Sequence, residues 1–415
     1  MRLLIKNVIL KGRKVDILIE NRKIKKIKKF LNERAKEKID AKEKKAVLPG
    51  LINCHSHSPM ILFRGIGEGL NLKDWLEKEI WPKERKLSPD DVYWAMKLAS
   101  LEMIKTGTTT FNEMYWFEEA QIEAVKEMGL RAKIGLVLLD FLPMGQKEHI
   151  LEILLKFPQF LKRNSRITFS LAPHAIYTVS KENLIWAKKV SKKYNLNLHL
   201  HLAETEKEVL DCQRKFKMEP VQFLEKIKFL DKNCILAHSL WLSDKEIEIL
   251  KKRKCHLVYN PCSNMKLASG VFPYQKIKER KINLCLGTDG PASNDSLDLF
   301  QEMKMGALLQ KITLRNPTII SAKEIFEIAT KNGAKALRIP AGEIKEGKLA
   351  DLILVDLNKL TLIPDHNLIS NLVYSATGDC VSDVICDGEM IMRERKIEDE
   401  EKIKREFKKR IKSLR

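Results

Sequence analysis

The sequence lacks long apolar runs and paired cysteine motifs. None of its apolar stretches approaches the roughly 20 residues that a membrane-spanning helix needs. Near the N-terminus, Arg2 and Lys6 interrupt the apolar stretch that a secretory signal would require. The eight cysteines include no CxxC pair, and several fall inside predicted strands, where cysteine is usually a small buried apolar residue. We therefore expect a cytoplasmic protein with no membrane partner, no zinc knuckle and no thioredoxin-type redox site.

The positive charge of the chain lacks the clustering that nucleic-acid binding requires. The formal net charge is +21, but the lysines are spread over the whole length and alternate with glutamates. The two denser basic runs, 251–254 and 402–415, fall at a predicted helix end and at the terminus, away from the predicted catalytic residues. We predict that nucleic acid is not a partner.

Eight short apolar runs alternate with stretches of helical spacing such as 91–105. The runs are rich in β-branched residues and end in polar ones. Alternating strands and helices predict an α/β fold with a parallel sheet, and eight repeats predict closure into a (β/α)8 TIM-like barrel. An open doubly wound sheet is the alternative. The runs are Val47–His55, Thr108–Met114, Ala132–Leu139, Arg166–His174, Leu196–Glu204, Cys234–Ser239, His256–Cys262 and Ile282–Asp289.

Both ends of the chain are rich in predicted strands, among them Leu3–Leu10 and Ala350–Asp356. These strands flank the barrel repeats, and no long linker separates them from it. We infer one small β-sandwich domain built from both termini, residues 1–48 and 342–415. The barrel domain then comprises residues 49–341.

Metal-binding side chains follow several of the predicted barrel strands. His55 and His57 lie two residues apart on one strand, so their imidazoles point to the same face. His201 ends a later strand and Asp289 ends the last one. The carboxyl ends of barrel strands converge, so three neutral imidazoles and one carboxylate can meet there. This donor set suits one divalent metal, with Zn²⁺ the first choice and Fe²⁺ or another transition metal the alternatives. Such a metal lowers the pKa of a bound water. The other polar candidates at strand ends are His174, Glu204 and His238.

Six segments of the sequence carry a family resemblance that covers nearly the whole length. They are LPGLINCHSH, Trp75 with the following Glu84, APHAIYTVS, HLHLAETEKE, LAHS and GTDGPASND. With these segments the chain resembles the amidohydrolase superfamily, and within it the 5-methylthioadenosine/S-adenosylhomocysteine deaminases, including 5′-deoxyadenosine deaminase-like members. The resemblance implies a metal-dependent deaminase whose partners are a nucleoside and water, and a homo-oligomer. Relatives with two metals need a bridging carboxylate, often a carboxylated lysine, after the fourth strand. His174 stands there instead, so we expect a single metal per subunit.

Hydrolytic deamination of an aminopurine needs attack by hydroxide at C6, a proton on ring nitrogen N1 and a proton for the departing ammonia. Glu204 would donate the N1 proton, which requires a dry pocket that raises its pKa. Asp289 would take a proton from the water and pass it to the leaving amine. His238 would hydrogen-bond the hydroxide and stabilise the charge of the tetrahedral intermediate. The resemblance implies these same catalytic roles. The alternative for Glu204 is a helix-capping carboxylate or a surface ion pair.

The substrate contacts are expectations from the resemblance. It implies that Glu84 binds the ribose hydroxyls through paired hydrogen bonds and that His174 faces the nucleoside. Taken alone, Glu84 is equally consistent with a solvated helix charge. His199, two residues before a ligand histidine on the same face, is predicted to be a buried structural residue. The expected substrate-binding residues are Trp75, Glu84, His174, Glu204, Asp289 and Ser293.

One departure from the resembled family concerns the loop after the third strand. Members that accept S-adenosylhomocysteine place arginines there, and these bind the amino-acid carboxylate. Residues 138–147 contain no arginine, and Asp140 would repel a carboxylate. Lys147 alone could compensate, as a point charge on a flexible side chain. We therefore expect nucleosides with small uncharged 5′ groups: 5′-deoxyadenosine, 5′-methylthioadenosine or adenosine.

Two rival functions differ from this one. A guanine deaminase or an s-triazine hydrolase of the same superfamily acts on a substrate without ribose, which Glu84 argues against. A barrel that only binds or assembles would have lost an acid–base residue, yet Glu204, His238 and Asp289 are all present.

Overall fold

The computed structural model describes residues 2–141, 145–162 and 165–414, and its strands form two separate sheets. Strands β6 to β13 form the first sheet, and the strands before and after them form the second. The strands are β1 (Arg2–Leu10), β2 (Arg13–Glu20), β3 (Lys23–Lys28), β4 (Glu37–Asp40), β5 (Lys45–Pro49), β6 (Leu51–Ser56), β7 (Thr108–Glu113), β8 (Arg131–Leu138), β9 (Ile167–Pro173), β10 (Asn197–Leu202), β11 (Cys234–His238), β12 (His256–Tyr259), β13 (Asn283–Leu286), β14 (Leu352–Asp356), β15 (Val381–Cys386) and β16 (Glu389–Met392).

The first sheet is a barrel of eight parallel strands in chain order. The barrel closes between its first strand, β6, and its last strand, β13. Just after β13, the backbone N–H of Asp289 donates to the carbonyl of His55 in β6 at 3.0 Å. All eight predicted runs contribute a strand, so the predicted (β/α)8 barrel is confirmed. The carboxyl ends of the strands therefore meet at one end of the barrel, as the site prediction requires.

The helices surround the barrel and bury their apolar faces against it. Several begin at a Ser or Thr whose side chain accepts a hydrogen bond from the third backbone N–H of the helix, as Ser88 and Thr205 do. They are α1 (Leu72–Asp74), α2 (Trp81–Glu84), α3 (Pro89–Lys105), α4 (Glu118–Met128), α5 (Gln146–Lys156), α6 (Lys181–Tyr194), α7 (Glu206–Phe216), α8 (Pro220–Lys226), α9 (Asp244–Arg253), α10 (Pro261–Lys266), α11 (Tyr274–Glu279), α12 (Leu299–Thr313), α13 (Ala322–Glu327), α14 (Gly333–Leu337), α15 (Leu368–Tyr374) and α16 (Glu400–Leu414). Two π-helical turns, Trp75–Ile80 and Ile328–Asn332, and four 3₁₀ turns, Ser58–Phe63, Pro158–Leu161, Leu360–Leu362 and Gly378–Cys380, complete the helical structure. Among the described residues, no helix has both the length and the apolarity to cross a membrane.

The predicted first run, Val47–His55, is divided between the two sheets. Its start belongs to β5 of the second sheet, and its end forms β6 of the barrel. Gly50 separates them, and a Cβ atom there would lie only 2.1 Å from Oγ1 of Thr109. Only glycine therefore allows the chain to pass so close to β7 while it changes sheet.

The second sheet joins the two ends of the chain. Its order is β16-β15-β14-β5-β1-β2-β3, with β4 beside β1, and it mixes parallel and antiparallel pairs. Both faces of β1 are buried, with Leu3 and Ile5 in one apolar cluster and Leu4 in another. The prediction of a small β-sandwich built from both termini is confirmed as a separate mixed sheet to which both ends of the chain contribute strands. The predicted domain boundaries stay a prediction.

Candidate active site

A cavity opens at the carboxyl ends of the barrel strands, and the residues singled out from the sequence gather there. His55 lies just beneath it and is fully buried. The predicted site residues that line the cavity are His57, Trp75, Glu84, His174, His201, Glu204, His238, Asp289 and Ser293. Convergence of parallel strands thus brings together side chains that are far apart in the sequence.

Nitrogen and oxygen donors converge at the floor of this cavity. One ligand atom from each of His55, His201, His238 and Asp289 lies within 4.8 Å of the others. Nε2 of His57 joins them, 3.1 Å from Nε2 of His201 and 3.3 Å from Oδ1 of Asp289. Imidazole nitrogens with one carboxylate oxygen at such spacing are the donor set of a divalent transition metal.

Backbone carbonyls orient two of these imidazoles. Nδ1 of His57 lies 2.6 Å from the carbonyl of Met114, and Nδ1 of His201 lies 2.8 Å from the carbonyl of His174. Because a carbonyl only accepts, Nδ1 carries the proton in both rings and Nε2 keeps a free lone pair. The lone pairs of His57 and His201 consequently point into the cluster, as metal ligation requires.

His55 is oriented by a second buried histidine. Its Nδ1 lies 2.8 Å from Nε2 of His199, whose own Nδ1 is 3.0 Å from the amide nitrogen of Asn112. His199 is fully buried at the next layer of the barrel, where the sequence placed it. It acts on the cluster through the orientation of His55 and does not line the cavity.

Burial favours the neutral form of His57, His174, His201 and His238. It lowers the pKa of His57 to about 4 and the pKa values of His174 and His238 to about 3. For Asp289, burial alone would raise the pKa, but the hydrogen bond with His55 and the electrostatic influence of the surrounding imidazoles outweigh it. The pKa of Asp289 therefore lies well below its usual range. Neutral imidazoles and an ionised carboxylate are the protonation states that bind a cation.

Left-handed backbone marks three of the strand ends. His238 has φ 65°, Asp289 has φ 62°, and Ala203, just before Glu204, has φ 46°. Such conformations cost a non-glycine residue roughly 1–3 kcal/mol and are found mainly where the surroundings enforce them. These left-handed conformations turn the side chains away from the strand direction, and no sequence pattern predicts them.

Glu204 is almost completely buried beside the histidine cluster. Its Oε2 lies 3.6 Å from Nε2 of His238, and its Oε1 accepts a hydrogen bond from the hydroxyl of Ser269 at 3.4 Å. Burial, and then the negative charges of Asp289 and Glu208, raise the pKa of this carboxyl well above its ordinary value. Burial therefore favours the protonated form of Glu204, and its position inside the cavity excludes a surface ion pair.

Hydroxyl and amide groups hold Asp289 and His238 in place. The second carboxylate oxygen of Asp289 accepts hydrogen bonds from Ser263 at 2.6 Å and from Ser293 at 2.7 Å. Ser293 thus contacts the carboxylate itself. The side-chain amide of Asn264 lies 2.8 Å from Nδ1 of His238. Sequence reasoning missed Ser263 and Asn264, which follow β12 without a recognisable motif.

Glu84 lines the same cavity as the cluster. It ends α2, is 7% exposed, and accepts a hydrogen bond from the hydroxyl of Tyr115 at 2.9 Å. Burial raises the pKa of Glu84 to about 7, although the tyrosine hydrogen bond opposes this. Glu84 is therefore a buried cavity residue and not a solvated helix charge. Trp75 also lines the cavity, and its indole N–H donates to the carbonyl of Ile66 at 3.1 Å.

The loop after β8 supplies no cation to the described part of the cavity. Among the described lining residues there is neither lysine nor arginine. The carboxylate of Asp140 accepts hydrogen bonds from the Ser180 backbone and the Asn183 amide, both at 2.8 Å, and so caps α6. Lys147 lies over the ring of Trp186, 5.7 Å from its centre. Residues 142–144 of the predicted loop lie outside the described residues.

Comparisons with known proteins agree with this geometry. The model of the Amidohydrolase family matches residues 46–391. The 5′-deoxyadenosine deaminase of Methanocaldococcus jannaschii is 47% identical over 408 residues, with 97% of each chain covered. The 5-methylthioadenosine/S-adenosylhomocysteine deaminase of Thermococcus sibiricus is 47% identical over 385 residues, with 91% of this chain and 90% of the relative covered. An adenosine deaminase from Xanthomonas campestris, solved with bound zinc, superimposes with a TM-score of 0.92 at 31% identity, over 99% of this chain and 98% of its own. The chain therefore belongs to the amidohydrolase family.

Proposed function

We propose that this protein hydrolyses the 6-amino group of adenosine-type nucleosides with small uncharged 5′ groups, releasing ammonia and the inosine analogue. The observation that carries the proposal is the pairing of two buried acids in one cavity. Glu204 lies beside the histidine–aspartate cluster, and Glu84 lines the same cavity from α2. The relatives named for 5′-deoxyadenosine and 5-methylthioadenosine deamination support the same substrate class.

The metal site belongs to the proposal as one zinc ion held by His55, His57, His201 and Asp289. The lone pairs of His57 and His201 already point inward, and Asp289 is ionised. When bound, such a cation lowers the pKa of water so that hydroxide is available near neutral pH. The zinc in the related adenosine deaminase structure supports this choice.

Two side chains move protons in the proposed reaction, and a third stabilises charge. Glu204 gives its proton to N1 of the purine, which makes C6 electrophilic. Asp289 takes one proton from the attacking water and passes it to the departing amine. The remaining hydroxyl proton returns to Glu204 as the C6–N bond breaks and the C6 carbonyl forms. His238 lies beside Glu204 in the same cavity, and it would hydrogen-bond the oxygen that adds to C6 and stabilise the charge of the intermediate.

The far side of the cavity selects the sugar. Glu84 offers a buried carboxyl, fixed by Tyr115, that can pair with two neighbouring ribose hydroxyls. An amino-acid carboxylate on the 5′ side would lose hydration without meeting a cation among the described lining residues. Asp140 takes no part in this discrimination, because its carboxylate is hydrogen-bonded at the start of α6. S-adenosylhomocysteine is therefore the poorer substrate.

An ammonia-release screen tests the proposed function. Metal-loaded protein should release ammonia from 5′-deoxyadenosine, 5′-methylthioadenosine and adenosine, and much less from adenine, guanine or a chlorinated s-triazine. Preferred turnover of guanine or of the triazine would replace the proposal with the rival enzyme. Absence of turnover on every compound, with metal bound, would favour a non-catalytic barrel.

A further inference from the structure

Glu208 lies behind the catalytic acid and has no place in the mechanism above. Its carboxylate accepts two backbone hydrogen bonds, Oε1 from the N–H of Ala203 and Oε2 from the N–H of Glu204, both at 2.9 Å. The residue is 5% exposed, and the described contacts of its carboxylate include no cation. Both oxygens are thus directed at the two amides where the chain leaves β10.

Those two amides belong to a strained turn. Ala203 is left-handed, and its carbonyl accepts hydrogen bonds from the backbone N–H groups of Leu240 and Trp241 at 3.0 and 3.1 Å. The loop after β11 therefore holds the carbonyl side of the turn, and Glu208 holds the amide side. The direction in which Glu204 leaves the strand depends on both.

Ordinary helix capping does not account for this arrangement. Glu208 is the third residue of α7, whose N-cap is Thr205. In a capping box, a glutamate at this position bonds the N-cap backbone N–H, as Glu246 does with Ser243 at the start of α9. Glu208 instead bonds the two amides that precede Thr205, including that of Glu204 itself.

We propose that Glu208 is a positioning residue that fixes the turn carrying Glu204, and so holds the catalytic acid against the substrate. The assignment rests on the proposed function. Glutamine at this position presents an N–H₂ group to one of the two amide donors. One hydrogen bond must break, and the turn is released. The substitution should therefore act on turnover and spare the ribose and metal contacts.

Glu246 provides a matched control for the test. It is also buried, also accepts two backbone N–H bonds, from Val221 at 2.7 Å and Ser243 at 3.0 Å, and its pKa is also raised by burial to about 7, as that of Glu208 is. It lies outside the cavity lining. Glu208→Gln should lower kcat for 5′-deoxyadenosine about tenfold or more, with KM and metal content changed less than about threefold. Glu246→Gln should lower only the thermal stability.

Two further measurements separate positioning from general destabilisation. In the Glu204→Gln background, Glu208→Gln should change kcat less than about twofold, because it acts through Glu204. Hydrogen exchange at the amides of Ala203 and Glu204 should accelerate about tenfold or more in Glu208→Gln and stay unchanged in Glu246→Gln. If Glu208→Gln does not fold, Glu208→Asp, which withdraws the carboxylate by one methylene, takes its place.

Additive kcat losses in the Glu204→Gln background would overturn the inference, as would unchanged amide exchange or equal kcat effects of the two variants. Failure of the proposed function is distinct. In that case the wild type itself releases no ammonia from 5′-deoxyadenosine, while the exchange measurement still reports on the turn.

Discussion

Two regions of this protein bury ionisable groups, one with cationic partners beside the carboxylates and one without them. At the junction of the barrel and the second sheet, the guanidinium of Arg131 binds Asp351 at 2.7 Å and Asp387 at 2.6 Å. In the cavity, the carboxyls of Glu84 and Glu204 have no cation among the described lining residues, and burial raises their pKa values. Paired charges fix the junction, whereas burial without a cation favours the protonated form of Glu204, from which a proton can be donated.

The largest effect should come from the unpaired acid nearest the cluster. Glu204→Gln is expected to lower kcat by about 10²–10⁴, because a neutral amide cannot deliver a proton to N1. Metal content and thermal stability should match those of the wild type. Glu206→Gln, two residues along and exposed, is the control and should leave kcat unchanged. A kcat for Glu204→Gln within a few-fold of wild type would show that another group supplies the proton.

The paired region should respond in stability and not in chemistry. Arg131→Met leaves Asp351 buried without its cation and leaves Asp387 with Arg22 alone, which costs about 3–5 kcal/mol of unfolding free energy. Arg166→Met removes a more exposed pair with Glu389 and should cost only about 0–1 kcal/mol. Denaturant unfolding measures both. A large loss of kcat in folded Arg131→Met protein would contradict the separation of the two regions.

Glu84 is expected to act on substrate binding. Glu84→Ala should raise KM for nucleosides by the equivalent of about 2–3 kcal/mol, because one or two charge-assisted hydrogen bonds to ribose are lost. The free base adenine should be a poor substrate that is indifferent to the change. Glu79→Ala, on the adjoining π-helical turn and paired with Lys83, is the matched control. Equal losses for adenine and adenosine would assign Glu84 a structural role.

The strand ends could be predicted from the sequence because the apolar run and the polar residue that ends it are both local features. An apolar run that ends in a polar residue marks a barrel strand, and the barrel then brings the ends together. His57, His201 and Asp289 were found in this way. The position of Glu84 needed the family resemblance, because its surroundings, Lys83 and Arg85, suggest a solvated helix.

The supporting residues could not be predicted, because their partners are backbone groups whose positions depend on the whole fold. Glu113 accepts hydrogen bonds from the hydroxyl of Ser56 and the backbone of Ser58, and so supports the strand end that carries His55 and His57. The sequence around Glu113 contains no signal that distinguishes it from the other glutamates of this chain. The spacing of Thr205 and Glu208 predicts a capping box, yet the glutamate bonds other amides. The left-handed strand ends are likewise a product of tertiary contacts.

The relative rates for two substrates show most directly whether the cavity disfavours a substrate with an amino-acid carboxylate. In a cavity whose described lining has no cation, kcat/KM for 5′-deoxyadenosine should exceed that for S-adenosylhomocysteine by about tenfold or more, on the order of 1.4 kcal/mol. Both are measured by ammonia release on the same metal-loaded preparation. A higher kcat/KM for S-adenosylhomocysteine would contradict the account and mean that a cation reaches its carboxylate. Lys147→Ala should then abolish that advantage.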